Sequence, residues 1–408
     1  MGFVILNTVT ALMVASAQLA GQSPTFRVTL LGTAGPSMSL DRAEAGTLVQ
    51  AGTETLLFDC GRGVPERLSQ LGAANVNKIF LTHLHSDHTQ GLPVLWMSSW
   101  NGRGTNLLYL WGPGTDVDQP AGVKELAVQL SGAFATNTHI RRDLVEKWAA
   151  EGIMIKASEV TEGVVYQNSG VTVQAFLVDH APVKPAFGYR IDYAGRSVVI
   201  SGDTRASGNL VKFSTGVDVL IHEVFNAAVG STSATAAYHT LPEQAADVFN
   251  RAAPRLAVYS HIAPGGFDPT ARTRAGGYSG PLAVASDLST IELGDKIVFK
   301  ACNSTATPAI AAVTNEAYKA NLTANGFIIV WGAAFTPEGG NSLRFTRMGG
   351  TDPVVLDEST GLVFWNSAAN QINAALGTRL SPGTWMLTVK NGCGVTSPAF
   401  PITLLEGK

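Results

Sequence analysis

Cysteine is scarce in this chain: 408 residues carry three, Cys60, Cys302 and Cys393, none of them in a C-x-x-C arrangement. That excludes a thiolate metal site of the zinc-finger kind. Charge is scarce too. Asp, Glu, Lys and Arg make up 14% of the residues and the formal net charge is −3, so no electrostatic footprint for a polyanion or an anionic membrane is visible. Beyond the first residues no apolar run approaches the roughly 20 residues that span a bilayer, and no membrane span is expected. No fixed-period repeat is present either.

Residues Met1 to Ala20 contain no charged side chain, run apolar from Phe3 to Val14 and end in Ala15-Ser16-Ala17. This fits a secretory signal peptide over 1–20, with a plain apolar arm as the alternative because the segment lacks Lys or Arg before its apolar run. The expected location is secreted or periplasmic. In that compartment Cys302 and Cys393 could pair, while Cys60, behind a buried-looking strand, is an inert core thiol.

The chain is too long for one ordinary domain. Strand patterns at Phe26–Leu31, Gly46–Ala51 and Thr55–Asp59 are followed by a helical pattern over Val64–Leu71 and an apolar segment from Gly91 to Trp100. Asn106–Trp111 reads as a strand and Val123–Ile140 as a helix that carries His139, an ordinary surface histidine. Val171–Val178 alternates, and Gly188–Tyr193 pairs across Ala194-Gly195 with Arg196–Ile200. Val217–Ile221 and Arg255–Tyr259 are short buried strands. Between them Thr240-Leu241-Pro242-Glu243 opens a helix to about Arg251 as a capping box. Strands and helices mix without strict alternation, which predicts an α+β catalytic domain over 24–301 with helices outside two mixed sheets.

Around 302–308 the composition turns to Ser, Thr, Ala and Pro, a linker. Short strands follow at Phe327–Trp331, Leu343–Thr346, Leu362–Trp365, Gln371–Ala375, Thr384–Val389 and Phe400–Leu404. Residues 309–408 are expected to form an all-β, immunoglobulin-like sandwich. It contains no histidine, so it is expected to supply no metal ligand and to serve as an accessory or interaction module, with a plain structural appendage as the alternative.

Chemistry concentrates in Thr82-His83-Leu84-His85-Ser86-Asp87-His88, after the apolar run Lys78–Leu81. If that run stays extended, His83 and His85 share one face and can grip one ion together. Asp87 and His88, just past the strand end, can swing towards a second. Imidazole and carboxylate suit zinc, and less specifically iron or manganese. Further candidates stand at later strand ends: His180, Asp203 and His261. Singly each has a bland alternative, since either histidine could be hydrogen-bonded in the core and Asp203 could cap a turn. Together they divide into His83, His85 and His180 for one ion, Asp87, His88 and His261 for the other, and Asp203 bridging, with room for an activated water.

The H-x-H-x-D-H pattern of His83 to His88, Gly202-Asp203-Thr204, His222-Glu223, His239-Thr240 and Tyr259-Ser260-His261 resemble the metallo-β-lactamase superfamily, in its arylsulfatase-like and ribonuclease Z-like branch. The resemblance covers roughly residues 26 to 300 and implies an αββα sandwich with two zinc ions at one edge. Leu92–Trp96, Gly188–Tyr193, Ser201–Arg205 and Arg272 to Leu282 look like secreted arylsulfatase-like members. Hydrolysis of aryl sulfate esters by a metal-bridging hydroxide is therefore the leading expectation, with a phosphodiesterase as the alternative. His180 and Asp203 stand close in the chain, without the long arm that tRNA-processing members carry between the corresponding ligands. A small-molecule ester substrate and no nucleic acid are thus expected, and a homo-oligomer fits as well. Asp87, His239 and Glu223 are the catalytic candidates: a non-ligand His239 could protonate the departing oxygen, oriented by Glu223. Lys184, Arg205, Arg272 and Arg274 are candidate cations for the transferred group.

Overall fold

A computed structural model describes residues 25–37, 42–103, 107–228, 230–262, 269–301, 307–335, 341–350, 352–356, 370–391 and 395–406. The signal segment, Cys302 and Cys393, most of the linker and the expected strand Leu362–Trp365 lie outside the described residues.

Two mixed sheets stack face to face. One runs, in spatial order, Ile297–Lys300, Ser289–Leu293, Phe26–Gly32, Gly46–Ala51, Glu54–Phe58, Lys78–Phe80, Leu108–Gly112 and Ile155–Glu159. The other runs Leu282–Val284, Leu256–Ser260, Val219–Glu223, Arg196–Ile200, Phe187–Tyr193, Val171–Leu177 and Gly163–Asn168. Both sheets are covered on both faces, which is why their central strands read as continuous apolar runs rather than strict alternations. Val198 and Ile200 enter the core between the sheets, with Val28, Val49, Leu56 and Phe58 opposite. Val199, between them in sequence, faces the other way into a layer closed by Leu210, Val248 and Phe249 of the helices Gly208–Ser214 and Pro242–Ala252. On the far side Leu48 and Leu57 pack under Leu68, Trp96 and Trp100 from the helices Val64–Gln70 and Leu92–Arg103. The layers are helix, sheet, sheet, helix, as the α+β reading expects.

Several boundaries differ from the sequence reading, each for a local reason. The metal-motif strand stops at Phe80, because the Thr82 amide turns from the neighbouring strand to the Asp59 carboxylate, at 2.8 Å. His83 and His85 therefore stand on a loop, and period two is not what brings them together. The helix from Val123 ends at Ala133, where Phe134 leaves helical geometry; Ala135–His139 and a π-helical turn Ile140–Leu144 follow. The helix at Pro242 is capped one residue later than expected: the Gln244 side chain accepts from the Leu241 amide at 2.9 Å, while the Thr240 hydroxyl donates to the Thr204 carbonyl. The hairpin at Ala194-Gly195 stands as read, both residues at positive φ of 50° and 74°.

Residues 309–406 add a sheet of Ala309–Thr314, Phe327–Ala333 and Gln371–Ala375 and another of Leu322–Thr323, Phe400–Leu405, Gly383–Lys390, Ser342–Arg347 and Pro353–Leu356. Both face one core built on Ile328, Val330, Phe345, Leu387 and Ile372. Ala309–Thr314, Leu322–Thr323 and Pro353–Leu356 went unread in the sequence, being alanine-rich, very short and proline-led respectively.

Candidate metal centre

Strand direction gathers the site. Arg196–Ile200, Val219–Glu223 and Leu256–Ser260 are mutually parallel, so Asp203, Glu223 and His261 emerge at one edge. Val171–Leu177 is antiparallel to Phe187–Tyr193, which is antiparallel to Arg196–Ile200; two reversals restore the direction, and His180 emerges at the same edge. Glu54–Phe58 and Lys78–Phe80 are parallel in the facing sheet and deliver Asp59 and the His83 to His88 loop opposite. The Phe187 amide donates to the Thr82 carbonyl at 2.9 Å and the Tyr189 hydroxyl to the Leu81 carbonyl at 2.8 Å, stitching that loop to the second sheet.

All seven predicted ligands converge. Donor atoms of His83, His85, His180 and Asp203 lie within 4.8 Å of one another, as do those of Asp87, His88, Asp203 and His261, so Asp203 is common to both groups. His261 Nε2 stands 3.1 Å from Asp87 Oδ2 and 3.3 Å from Asp203 Oδ2. His88 Nε2 is 3.4 Å from Asp203 Oδ2 and 3.6 Å from Asp87 Oδ2. Donors about 2.0–2.2 Å from a tetrahedral ion stand roughly 3.3–3.6 Å apart, so the spacing fits a cation.

The imidazole tautomers agree with that fit. His88 Nδ1 faces Asp59 Oδ2 at 2.8 Å, leaving Nε2 buried with no hydrogen-bond partner. His180 Nδ1 donates to the Tyr238 carbonyl at 3.1 Å, and His83 Nδ1 faces the Thr82 hydroxyl at 3.1 Å. Their Nε2 atoms converge on His85 Nδ1, at 3.3 and 2.9 Å. One shared proton cannot satisfy three nitrogens; an ion can.

Charge divides the cluster. Burial, with the neighbouring His88, holds the His83 pKa well below its ordinary value, and burial lowers those of His85 and His180, so these rings are neutral donors. Burial also opposes the charge of His261, but Asp203 and Asp87 outweigh it and hold its pKa up at about 9. His88 is raised the same way by Asp203, Asp59 and Asp87, and Asp203 stays ionised against burial through His261 and His88. Protons on His88 and His261 thus stand where divalent charge would replace them.

Backbone geometry is bent to the site. His261 adopts φ 55° and Asp59 φ 60°, left-handed positions that cost about 1–3 kcal/mol each. Gly35 lies flat on the His261 ring: a Cβ there would come within 2.9 Å of it. Behind Asp203 opens a cavity of about 40 Å³, lined among others by Thr47, Asp59, Ser201 and Glu223, large enough for ordered water.

His239 and Glu223 also meet. His239 Nδ1 is 2.9 Å from Glu223 Oε1, which further accepts the amides of Thr204 at 3.0 Å and Thr240 at 3.2 Å. The His239 ring lies 5.1 Å from that of His180 and 5.7 Å from that of His261. His222 turns away, its ring edge-on to Phe249. His139 is exposed and bonds Asp143 at 2.9 Å, as expected of a surface histidine. Sequence reading missed Asp59, a single carboxylate after a strand with no spacing signature, and Tyr238. Of the four candidate cations, Arg205 is tied to Asp179 at 2.6 Å, Arg272 is bidentate on Glu243, and Arg274 binds the carbonyls of Tyr278 and Gly280. Lys184 alone is exposed with no bonded partner among the described residues.

The family model described as Anti-Pycsar protein Apyc1 matches residues 26–249. Ribonuclease Z of Mycobacterium bovis (strain BCG / Pasteur 1173P2) is 33% identical over 284 residues, covering 66% of this chain and 98% of that protein. Ribonuclease Z of Mycobacterium avium (strain 104) is 34% identical over 256 residues, covering 59% of this chain and 86% of that one. Among solved structures, the metallo-beta-lactamase fold protein YhfI from Bacillus subtilis superposes with a TM-score of 0.53 at 21% identity, covering 66% of this chain and 100% of that one. The chain belongs to the metallo-β-lactamase-fold hydrolases, in their ribonuclease Z-like branch. As a member of that branch it is a metal-dependent hydrolase.

The comparisons overturn the arylsulfatase expectation, because these relatives are ribonucleases Z, enzymes named for cleaving RNA, and they favour a phosphodiesterase. The physical reason for the error is plain. Sulfuryl and phosphoryl groups are both tetrahedral oxyanions, so the ligand motifs cannot tell them apart, and Arg272 and Arg274, read as arylsulfatase-like, are engaged in holding the fold. The relatives' name also weighs against the expectation of no nucleic acid. No helix among the described residues is long and apolar enough to cross a membrane.

Proposed function

We propose that this hydrolase is a dinuclear phosphodiesterase, with His83, His85 and His180 holding one ion, Asp87, His88 and His261 the other, and Asp203 both. The observation that carries the reading is a buried His239–Glu223 pair beside both donor groups. Burial alone would lower the His239 pKa, but the Glu223 carboxylate outweighs it and raises it above the ordinary histidine value, which favours the protonated, acid form of the ring. A phosphodiester with an alkoxide leaving group needs such an acid far more than an aryl ester does.

Two divalent ions, zinc by the donor set with manganese or iron also compatible, would supply an activated water and positive charge against the phosphoryl oxygens. The chain's own residues do the rest. Glu223, fixed by two amides, holds His239 Nδ1, so Nε2 is the atom free to deliver a proton. As the P–O bond breaks, its electron pair stays on the leaving oxygen, which takes the His239 proton. Asp59 and the Tyr238 carbonyl keep His88 and His180 in the ligating tautomer.

Turnover by metal-loaded protein of bis(nitrophenyl) phosphate, nitrophenyl sulfate and a short RNA tests the reading. Phosphodiester cleavage is expected; fully loaded protein that cleaves no phosphodiester sinks it. Export and an immunoglobulin-like accessory domain over 309–408 belong to the same proposal. N-terminal sequencing of protein recovered from the medium or periplasm checks the first: a retained Met1–Ala20 segment refutes cleavage.

A further inference from the structure

The phosphodiesterase reading leaves one side chain at the centre without a task. Tyr238 closes the short 3-10 turn Thr235–Tyr238, and its carbonyl is anchored to His180 Nδ1 at 3.1 Å. Its ring is wedged between two functional rings, 5.1 Å from that of His180 and 4.9 Å from that of His239. It therefore borders both the group placed to hold an ion and the group placed to protonate the leaving oxygen. Among the described residues its hydroxyl has no hydrogen-bond partner, and the side chain is only partly buried.

Other polar side chains near the candidate ligands are committed. Thr82 serves Asp59, Thr240 serves the Thr204 carbonyl, Arg205 serves Asp179, and His239 Nδ1 serves Glu223. A phenol with its ring packed at a reactive centre and its O–H engaged by no protein group is a neutral donor open to a ligand's acceptor. An oxyanion spanning the ions and His239 has a non-bridging oxygen to offer, and negative charge grows on it in the transition state.

We propose that the Tyr238 hydroxyl donates a hydrogen bond to a non-bridging oxygen of the bound phosphoryl group. This deepens the phosphodiesterase reading and rests on it. The assignment is to the hydroxyl rather than the ring, so Tyr238→Phe, which removes one atom, is the decisive variant and Tyr238→Leu its comparator.

In metal-loaded protein, Tyr238→Phe should lower kcat/KM on bis(nitrophenyl) phosphate at least tenfold, towards the roughly 10²–10³-fold loss typical of one missing oxyanion donor. Inorganic phosphate, titrated calorimetrically into the same loaded protein, should bind several-fold more weakly to Tyr238→Phe than to wild type, with metal content unchanged. The proposal is overturned if Tyr238→Phe matches wild type in turnover and phosphate affinity, whatever Tyr238→Leu does. It is equally overturned if the loss tracks a fall in bound metal, which would make Tyr238 a prop for His180, or if wild type binds no phosphate. Should wild type cleave no phosphodiester while Tyr238→Phe still weakens phosphate binding, the phosphodiesterase reading fails and the hydroxyl contact stands.

Discussion

His88 shows how much one buried atom can say. Asp59 holds Nδ1 while Nε2 is left with no hydrogen-bond partner, so Asp59 sets the ring's orientation and tautomer. Asp59→Asn should weaken metal binding by about 10–100-fold, the usual cost of losing such a support, as read by competition with a chromogenic chelator. For His239→Ala, kcat on an alkyl phosphodiester should fall by about 10²–10⁴ and much less on a nitrophenyl ester, whose leaving group needs little acid; equal losses on both would deny His239 the acid role. The raised pKa of His261 gives a pH signature in metal-stripped protein. Its stabilisation is complete below the ordinary histidine value of 6.5 and is lost as pH climbs to about 9. Raised His88 acts in the same direction. The Tm of chelated protein should therefore fall between those pH values, and a flat or rising Tm contradicts the assignment. At this scale the candidate ligands were legible because histidine is rare and stood at strand ends, whereas Asp59 and Tyr238, lone residues of common types, gave no pattern.

Elements show a different balance. The hairpin from Phe187 to Ile200 was legible because Ala194-Gly195 supplies two positive φ angles between alternating strands. The stop at Phe80 was not, since a tertiary partner decides it: Asp59, distant in sequence, ends the strand by taking the Thr82 amide. Gly202 is a place where an element has no slack. It sits at φ 61°, and a Cβ would come within 2.7 Å of the Phe187 carbonyl oxygen and 2.9 Å of Thr82 Cβ. Gly202→Ala should cost about 1–3 kcal/mol in a denaturant melt and displace the adjoining Asp203, so stability and metal affinity fall together. A variant that loses stability but binds metal as before would separate strand end from ligand.

Across the whole molecule, the four-layer arrangement was readable from apolar runs too continuous for exposed strands, while the C-terminal sheets were readable only in part. Their core on Ile328, Val330 and Phe345 is distinct from the core between the catalytic sheets. Deleting residues 309–408 should accordingly leave turnover of small phosphodiesters within about twofold, the spread expected when no contact with the reacting groups is lost; a large loss would show that the tail shapes the site. The candidate ligands come from both sheets, His83 to His88 from one and His180, Asp203 and His261 from the other. Bound ions would then act as rivets between two plates already tied at this rim by bonds that include Phe187 to Thr82, Tyr189 to Leu81 and the Ile262 amide to the Thr33 carbonyl. Loss of metal becomes a mechanical event, and amide exchange at Thr82 and Phe187 should quicken on chelation while the strands at the opposite rim keep their protection.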